Sequence, residues 1–490
     1  MQQLSPMDAA FLYLENESTR AHGTFVWIYD ASDCDLSAVT RRALLDHMRS
    51  RLHVSPIFTR KIHRLPFDFD YPYWVDDEAF ELLYHVRELS LEKGARWPDF
   101  CRLVAEVHSR ELDPSCPLWE MTLVRGLTGI KGLPEQSFAI LGKFHHVAID
   151  GATGMHIIEQ IHDRNDSDDE PREASSRTAR QPRLRESLLR AAIRNVGALD
   201  KGLALLGARS KAGSDNEDQP PAPDHSDPVD KLSPDEPVGI PQTLFNRAIN
   251  AEATWDSRTY DLSEIKTMRT AVPGATVNDV LLTVVAGGLR RYLETEEGLP
   301  DTPMKAGCPM NIRTAGEAGA GGNMISAMII NMHTDVEDPL ERLAAICRSS
   351  TTAKKRAAQG DTRRILDIAS IMPAQAQALL GQTIGAVSGR LNRAVKFNCS
   401  VSNLPGPQRE LHMLGGRLHT IGAAMPTMNG YGLFVGLTTC AGRLSICMSS
   451  CSDILPDSSA LGNCMDQSYQ DLRAATLRNQ QRRKRKRKTN

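Results

Sequence analysis

Long apolar runs are missing from this 490-residue chain. None approaches the roughly 18 residues that a membrane-crossing helix needs. The opening Met1-Gln2-Gln3-Leu4-Ser5-Pro6 lacks the basic-then-apolar order of a secretory signal. Ten cysteines are scattered with no C-x-x-C pair. A disulfide framework or a zinc ribbon is therefore not expected, and a reducing compartment is. Charge of one sign is scarce too: the net is −2, and seven positive charges sit in one run, Arg482–Lys488. Take those seven from a net of −2 and the remainder carries −9, which implies no general nucleic-acid surface. Hydrophobic content of 41% and charged content of 24% suit a globular chain of two or three domains.

What is present divides unevenly. Residues 1–163 read as a first domain, with a strand over Thr24–Tyr29 and a helix over Leu36–Leu52 whose Leu44, Leu45, Met48 and Leu52 share one face. Residues 164–241 read as a linker of acidic, Ser-rich and Pro-rich stretches. Inside it, 186–209 carries Leu189, Ile193, Val196, Leu199, Leu203 and Leu206 at helical spacing, either a helix packed on its own protein or one lying on a membrane surface. Residues 242–480 read as a second domain. Thr276-Val277-Asn278-Asp279 has capping-box spacing before an apolar helix face, and Leu433–Cys440 and Leu444–Met448 flank a hairpin turn at Ala441-Gly442-Arg443. A last helix is expected from Ser458 to about Gln480, then a basic tail over 481–490. That tail reads as solvated, as attracted to anionic headgroups, or as a nucleic-acid or nuclear-targeting signal that no interleaved aromatics support. Strands and helices alternate irregularly, which gives an α/β class with mixed sheets.

One stretch carries chemistry. His145-His146-Val147-Ala148-Ile149-Asp150-Gly151 places two imidazoles at the end of an apolar run, with a carboxylate four residues after the second. Acyl transfer to an alcohol needs a base that titrates near neutrality in one fixed orientation, and histidine meets that need. In a strand over Ser137–His146, His146 shares a face with Phe138, Ile140 and Phe144, while His145 faces the other way. Gly151 and Gly154 then break the strand and lead into a helix over Met155–Ile161. The catalytic candidates are His146 as general base, with His145, Asp150 and Gly151 completing the motif. The plain alternative is two histidines at a sheet edge. A metal site built from His145, His146, Asp150 and His156 is disfavoured, because no Glu stands in an H-E-x-x-H position and the glycines oppose a ligand-bearing helix.

At this motif the chain resembles the wax ester synthase/acyl-CoA:diacylglycerol acyltransferase family, within the two-domain CoA-dependent acyltransferases and peptide-synthesis condensation domains. Leu4-Ser5-Pro6-Met7-Asp8-Ala9-Ala10-Phe11-Leu12, Trp74-Val75, Pro117-Leu118-Trp119-Glu120, Asn278-Asp279-Val280, Gly287-Gly288, Gly322-Asn323 and Ser402-Asn403-Leu404-Pro405-Gly406-Pro407 follow in family order. The resemblance implies two chloramphenicol-acetyltransferase-like α/β domains meeting along a tunnel, with His146 at the junction. It implies direct transfer of a long-chain acyl group from acyl-CoA to diacylglycerol or a fatty alcohol, with no acyl-enzyme. Acyl-CoA is then a co-substrate, and no cofactor or metal is expected. The setting is cytoplasmic, with peripheral contact to a membrane or lipid droplet. Asn278 and Asp279 are substrate-binding candidates, Asn278 as an oxyanion donor, against a helix-capping role for the pair. Leu112-Asp113-Pro114-Ser115-Cys116 departs from the family's Leu-Asp-Arg-Ser-Arg, and Asn311 stands where Ser is usual. Competing readings are an enzyme of the same fold that acylates a polyketide or peptidyl acceptor, and a lipid-binding scaffold without catalysis.

Overall fold

Fifteen strands in three sheets organise the residues that the computed structural model describes, which are 2–149, 151–163, 239–311, 325–358, 374–379, 395–407 and 409–489. The linker expectation, its amphipathic helix over 186–209, and Asp150 lie outside the described residues. In chain order the strands begin with β1 (Gln2–Gln3), β2 (His22–Asp30), β3 (Arg60–His63), β4 (Tyr73–Asp76), β5 (Val86–Ser90), β6 (Trp119–Arg125) and β7 (Ser137–His145). They continue with β8 (Ala253–Asp261), β9 (Lys305–Asn311), β10 (Ile325–Asn331), β11 (Cys399–Leu404), β12 (His412–Met413), β13 (Gly416–Ala424), β14 (Phe434–Cys440) and β15 (Arg443–Cys451). The longer helices are α1 (Pro6–Leu14), α2 (Arg41–Arg51), α3 (Trp97–Ser109), α4 (Gly151–Ile161), α5 (Val277–Glu296), α6 (Pro339–Ala358) and α7 (Ser458–Thr489).

The first large sheet runs β12-β13-β2-β7-β6-β5 and the second β10-β9-β11-β14-β15-β8. Both mix parallel and antiparallel pairs. The first sheet is not built from the first half of the chain alone. Strands β12 and β13 come from the second half, and β13 pairs antiparallel with β2, Ala424 opposite Thr24 and Gly422 opposite Val26. Trp255 of β8 ties the seam by donating its indole N–H to the Ala423 carbonyl at 3.1 Å.

Each face of β7 is buried, which explains why its sequence alternates only loosely. Phe138, Ile140 and Phe144 pack with Trp27, with Leu44 and Met48 of α2, and with Ile157 and Ile161 of α4. Ala139 and Leu141 pack on the other side with Phe100 and Val104 of α3 and with Trp255. The second core gathers α5, α6 and α7 on the second sheet. Gly288 lets α5 and α7 approach closely, since a Cβ there would collide with Met465.

Three expectations shift. The helix expected over Leu36–Leu52 is α2, which begins at Arg41 because Thr40 caps it, accepting the Ala43 N–H at 3.2 Å, while Asp35 draws Ser37 into a turn. The helix after the histidine motif begins at Gly151, ahead of Met155. The last helix continues through the basic run to Thr489 instead of ending near Gln480, as Arg and Lys are good helix formers. The hairpin forms, with a turn one residue shorter than read: Arg443 already pairs with Cys440, and Ala441 (φ 48°) and Gly442 (φ 76°) are the left-handed pair that a two-residue turn between β14 and β15 requires.

Candidate active site

The histidine motif sits at the end of β7, where the strand is released into a turn. His145 is the last paired residue, opposite His22 on β2. Residues 146–148 form the turn, closed by the Ala148 N–H donating to the His145 carbonyl at 2.9 Å. Gly154 then lets the first turns of α4 fold back on the motif, since a Cβ there would stand 2.6 Å from the Ile149 Cγ2. The second half of the chain reaches this end of the sheet. Met425, just past β13, lies against Gly23, where an added Cβ would meet its sulfur at 3.2 Å.

The two histidines have different surroundings. His145 is 1% exposed. Its Nδ1 accepts the Val147 N–H at 3.0 Å, so its proton sits on Nε2, which donates to Glu15 Oε2 at 3.3 Å. Both ring nitrogens are thus committed to the protein, which removes His145 as a metal ligand. His146 is half-buried and stacks on Phe11 of α1, ring centroids 5.0 Å apart and planes 16° from parallel. Its backbone N–H donates to the Ala21 carbonyl at 2.8 Å. Of the pair, the second ring is the one partly open to its surroundings; the strand ends at His145, not His146, so the turn and not strand parity sets its direction. Gly151 opens α4. His156, from the metal alternative, is exposed on that helix.

Behind the motif lies a line of buried ionisable groups that the sequence reading passed over. His22 Nε2 donates to the His108 carbonyl at 2.6 Å, and the Thr24 hydroxyl bonds His108 Nδ1 at 3.0 Å. Lys143, with a fully buried side chain, donates to the carbonyls of Val107 and Arg110, both at 3.0 Å, at the end of α3. Burial, with the Lys143 charge adding to it, pushes the His108 imidazole down to about 3. Burial also pushes the Lys143 ammonium down to about 8, against the opposing pull of Glu120. Burial alone would raise Glu15, but the hydrogen bonds from His145 and the Ala21 N–H, with the Arg20 charge, outweigh it, and its carboxyl lies below the ordinary range. The spacing of His22 and His145 on paired strands could have signalled this line only once the pairing was known.

The remaining candidates divide. Pro117–Glu120 shape the backbone: the Leu118 carbonyl accepts the His145 N–H at 3.1 Å, and Leu118 packs with Val147. Trp119 stacks on His85 at 4.5 Å and donates to the Phe58 carbonyl at 3.0 Å. Asp279, 1% exposed, is engaged by the fold. Its Oδ2 accepts from the Thr276 N–H and hydroxyl, both at 2.8 Å, and its Oδ1 accepts from Ser350 of α6 at 2.6 Å. That is the capping role, and it leaves Asp279 as a pin between α5 and α6. Asn278 is half-buried in the same first turn. Two cavities, of ≈ 90 and ≈ 180 Å³, lie at the seam between the halves beside Trp97 and Trp255. Neither is lined by His146, so neither is the passage expected at the histidine motif.

Comparison with known proteins agrees with this architecture. Residues 4–281 match the wax ester synthase/diacylglycerol acyltransferase catalytic domain, and residues 321–473 match the family's C-terminal domain. The chain belongs to the wax ester synthase/diacylglycerol acyltransferase family. It is an O-acyltransferase. Among its relatives are the O-acyltransferase WSD of Acinetobacter baylyi, 26% identical over 93% of each chain, and the probable diacylglycerol O-acyltransferase tgs2 of Mycobacterium tuberculosis, 26% identical over 97% of this chain and 99% of the relative. The solved wax ester synthase/diacylglycerol acyltransferase of Marinobacter aquaeolei VT8 superposes with a TM-score of 0.67 at 22% identity, over 97% of this chain and all of that one. A trichothecene 15-O-acetyltransferase of Fusarium sporotrichioides shares the fold at a TM-score of 0.55 and 10% identity, over 97% and 95% of the two chains. These likenesses bear out the mixed α/β, acetyltransferase-like fold read from the motif blocks.

Proposed function

We propose that this O-acyltransferase moves a long-chain acyl group from acyl-CoA to the hydroxyl of diacylglycerol or a fatty alcohol, with His146 as general base. The observation that carries the reading is the contrast within the histidine pair. One ring is buried with both nitrogens committed, and the other is half-buried at a turn beside Phe11. The activities for which the relatives are named support the substrate class. His146 takes the acceptor's hydroxyl proton as the oxygen attacks the thioester carbonyl. The tetrahedral oxyanion collapses, the C–O bond is complete, the C–S bond breaks, and the proton passes to the departing CoA sulfur. No acyl-enzyme intervenes and no cofactor is called for.

Peripheral contact with a membrane or lipid-droplet surface belongs to the same reading. Such acceptors partition into lipid, and among the described residues no helix is long and apolar enough to cross a membrane. The test offers purified protein radiolabelled palmitoyl-CoA with diacylglycerol, with hexadecanol, and with no acceptor, and resolves the products by thin-layer chromatography. Triacylglycerol or wax ester is expected, and His146→Ala lowers turnover by roughly 10²–10⁴-fold. A folded His146→Ala protein that keeps more than about a tenth of the activity refutes the base role.

A further inference from the structure

Four hydrogen bonds form a chain that starts and ends at one carboxylate and encloses the backbone of His146. Glu15 Oε1 accepts the Ala21 N–H at 3.1 Å. The carbonyl of Ala21 accepts the His146 N–H at 2.8 Å. Glu15 Oε2 accepts from His145 Nε2 at 3.3 Å, and His145 Nδ1 accepts the Val147 N–H at 3.0 Å. The peptide N–H groups of His146 and Val147, on either side of the His146 α-carbon, are therefore both tied back to Glu15, each through one intermediary. Glu15 closes α1, and Phe11, four residues earlier, stacks on the His146 ring. Residues at i and i+4 share a helix face, so one face of α1 holds the ring with Phe11 and the backbone with Glu15.

We infer that Glu15 is a positioning residue for His146, fixing both the turn that presents it and the tautomer of the neighbouring His145. The inference rests on the general-base reading of His146 and adds a residue that acts through the backbone.

The chemistry is specific to a carboxylate. Both oxygens of Glu15 must accept, and only an ionised carboxyl accepts at both. Glutamine offers one acceptor and one donor. With its oxygen toward Ala21, its NH₂ faces the Nε2–H of His145. Moving that proton to Nδ1 sets it against the Val147 N–H. With the amide reversed, its NH₂ faces the Ala21 N–H. Every arrangement leaves two donors opposed, and the turn must shift to relieve them. A misplacement near 1 Å is enough to cost about 10²-fold in rate.

The test compares wild type, Glu15→Gln, Glu15→Asp and His146→Ala as full-length proteins in the palmitoyl-CoA assay. Thermal melts check folding, and ¹⁵N-histidine NMR reads the His145 tautomer. Glu15→Gln is expected to lower kcat by roughly 10- to 100-fold while KM for palmitoyl-CoA stays within about twofold. Glu15→Asp keeps both acceptors on a shorter arm and is expected to fall between. Wild-type His145 is expected to carry its proton on Nε2 with Nδ1 accepting. A folded Glu15→Gln protein with wild-type kcat overturns the inference, and so does a wild-type His145 protonated on Nδ1. Should Glu15→Gln fail to fold, Glu15→Asp and the wild-type tautomer decide. An active His146→Ala protein sinks the base reading instead, and the tautomer result stands apart from it.

Discussion

Mild acid should destabilise this protein through buried histidines that the proposed mechanism does not use. Burial pushes His108 down to about 3 and His162 to about 4, and it holds His22 well below its ordinary value. In the unfolded chain each titrates near 6.5. The unfolded state therefore binds protons below that pH which the native state refuses until about pH 4 for His162 and about pH 3 for His108. Stability then falls as the pH drops through 6.5, and keeps falling until the native values are reached. Between about pH 7 and about pH 5.5, each fully suppressed histidine costs roughly 1 kcal/mol, so His108 and His162 together cost about 2–3 kcal/mol. That is a large fraction of a typical total of about 5–15 kcal/mol. Asp256 works the other way, since burial holds its carboxyl above the ordinary value and its native form takes up a proton first. Urea unfolding followed by circular dichroism at the two pH values measures the difference. His108→Gln supplies the control. Its amide can still donate to the Met425 carbonyl and accept from Thr24 but does not titrate, so the pH dependence should shrink by roughly 1 kcal/mol. Stability that is flat across this interval, or a slope unchanged in His108→Gln, refutes the reasoning. The acid limb of an activity profile must be corrected for this loss before it is assigned to His146.

Two further substitutions separate structure from chemistry. Gly154→Ala drives a methyl to 2.6 Å from the Ile149 Cγ2, so the turn behind His146 must move. It should cost about 1–3 kcal/mol in a urea melt and lower kcat more than KM. Asp279→Ala removes the acceptor that exposed Thr276 and buried Ser350 share, and leaves the Ser350 hydroxyl only its 3.2 Å bond to the Cys347 carbonyl. A loss of about 1–2 kcal/mol is expected with KM for palmitoyl-CoA little changed, and a stable variant with a raised KM would return Asp279 to the substrate site.

Local signals were legible where the chain's own neighbours decide the outcome. Ala441-Gly442 turns because that pair tolerates positive φ, and Thr276 caps because Asp279 lies three residues on. The strand-then-glycine order around His146 likewise gave a strand end, a turn and a helix. Partners drawn from far away left no such mark. Nothing within 412–424 says that β12 and β13 extend a sheet otherwise made from the first 145 residues, since their pairing is set by β2. The β7 face that carries Lys143 and His145 looked like an imperfect apolar strand. Lys143 and His145 on it find distant partners at the end of α3, in Glu120 and in Glu15.

The same distinction explains why the motif alone understates the site. On the general-base reading, HHxxxDG marks the base and leaves out what aims it. An imidazole at a turn is effective only if the peptide groups on either side cannot rock, because proton transfer needs hydrogen-bond geometry. Here those peptide groups are held from Ala21 and from Glu15, both more than a hundred residues earlier in the chain. Phe11 and Glu15 stand four apart in the opening segment, which is visible in the sequence as one helix face. What the spacing cannot say is that this face looks onto the end of β7. On that reading the opening helix belongs to the catalytic architecture, and its contribution should register in kcat, where misalignment is felt, before it registers in substrate affinity.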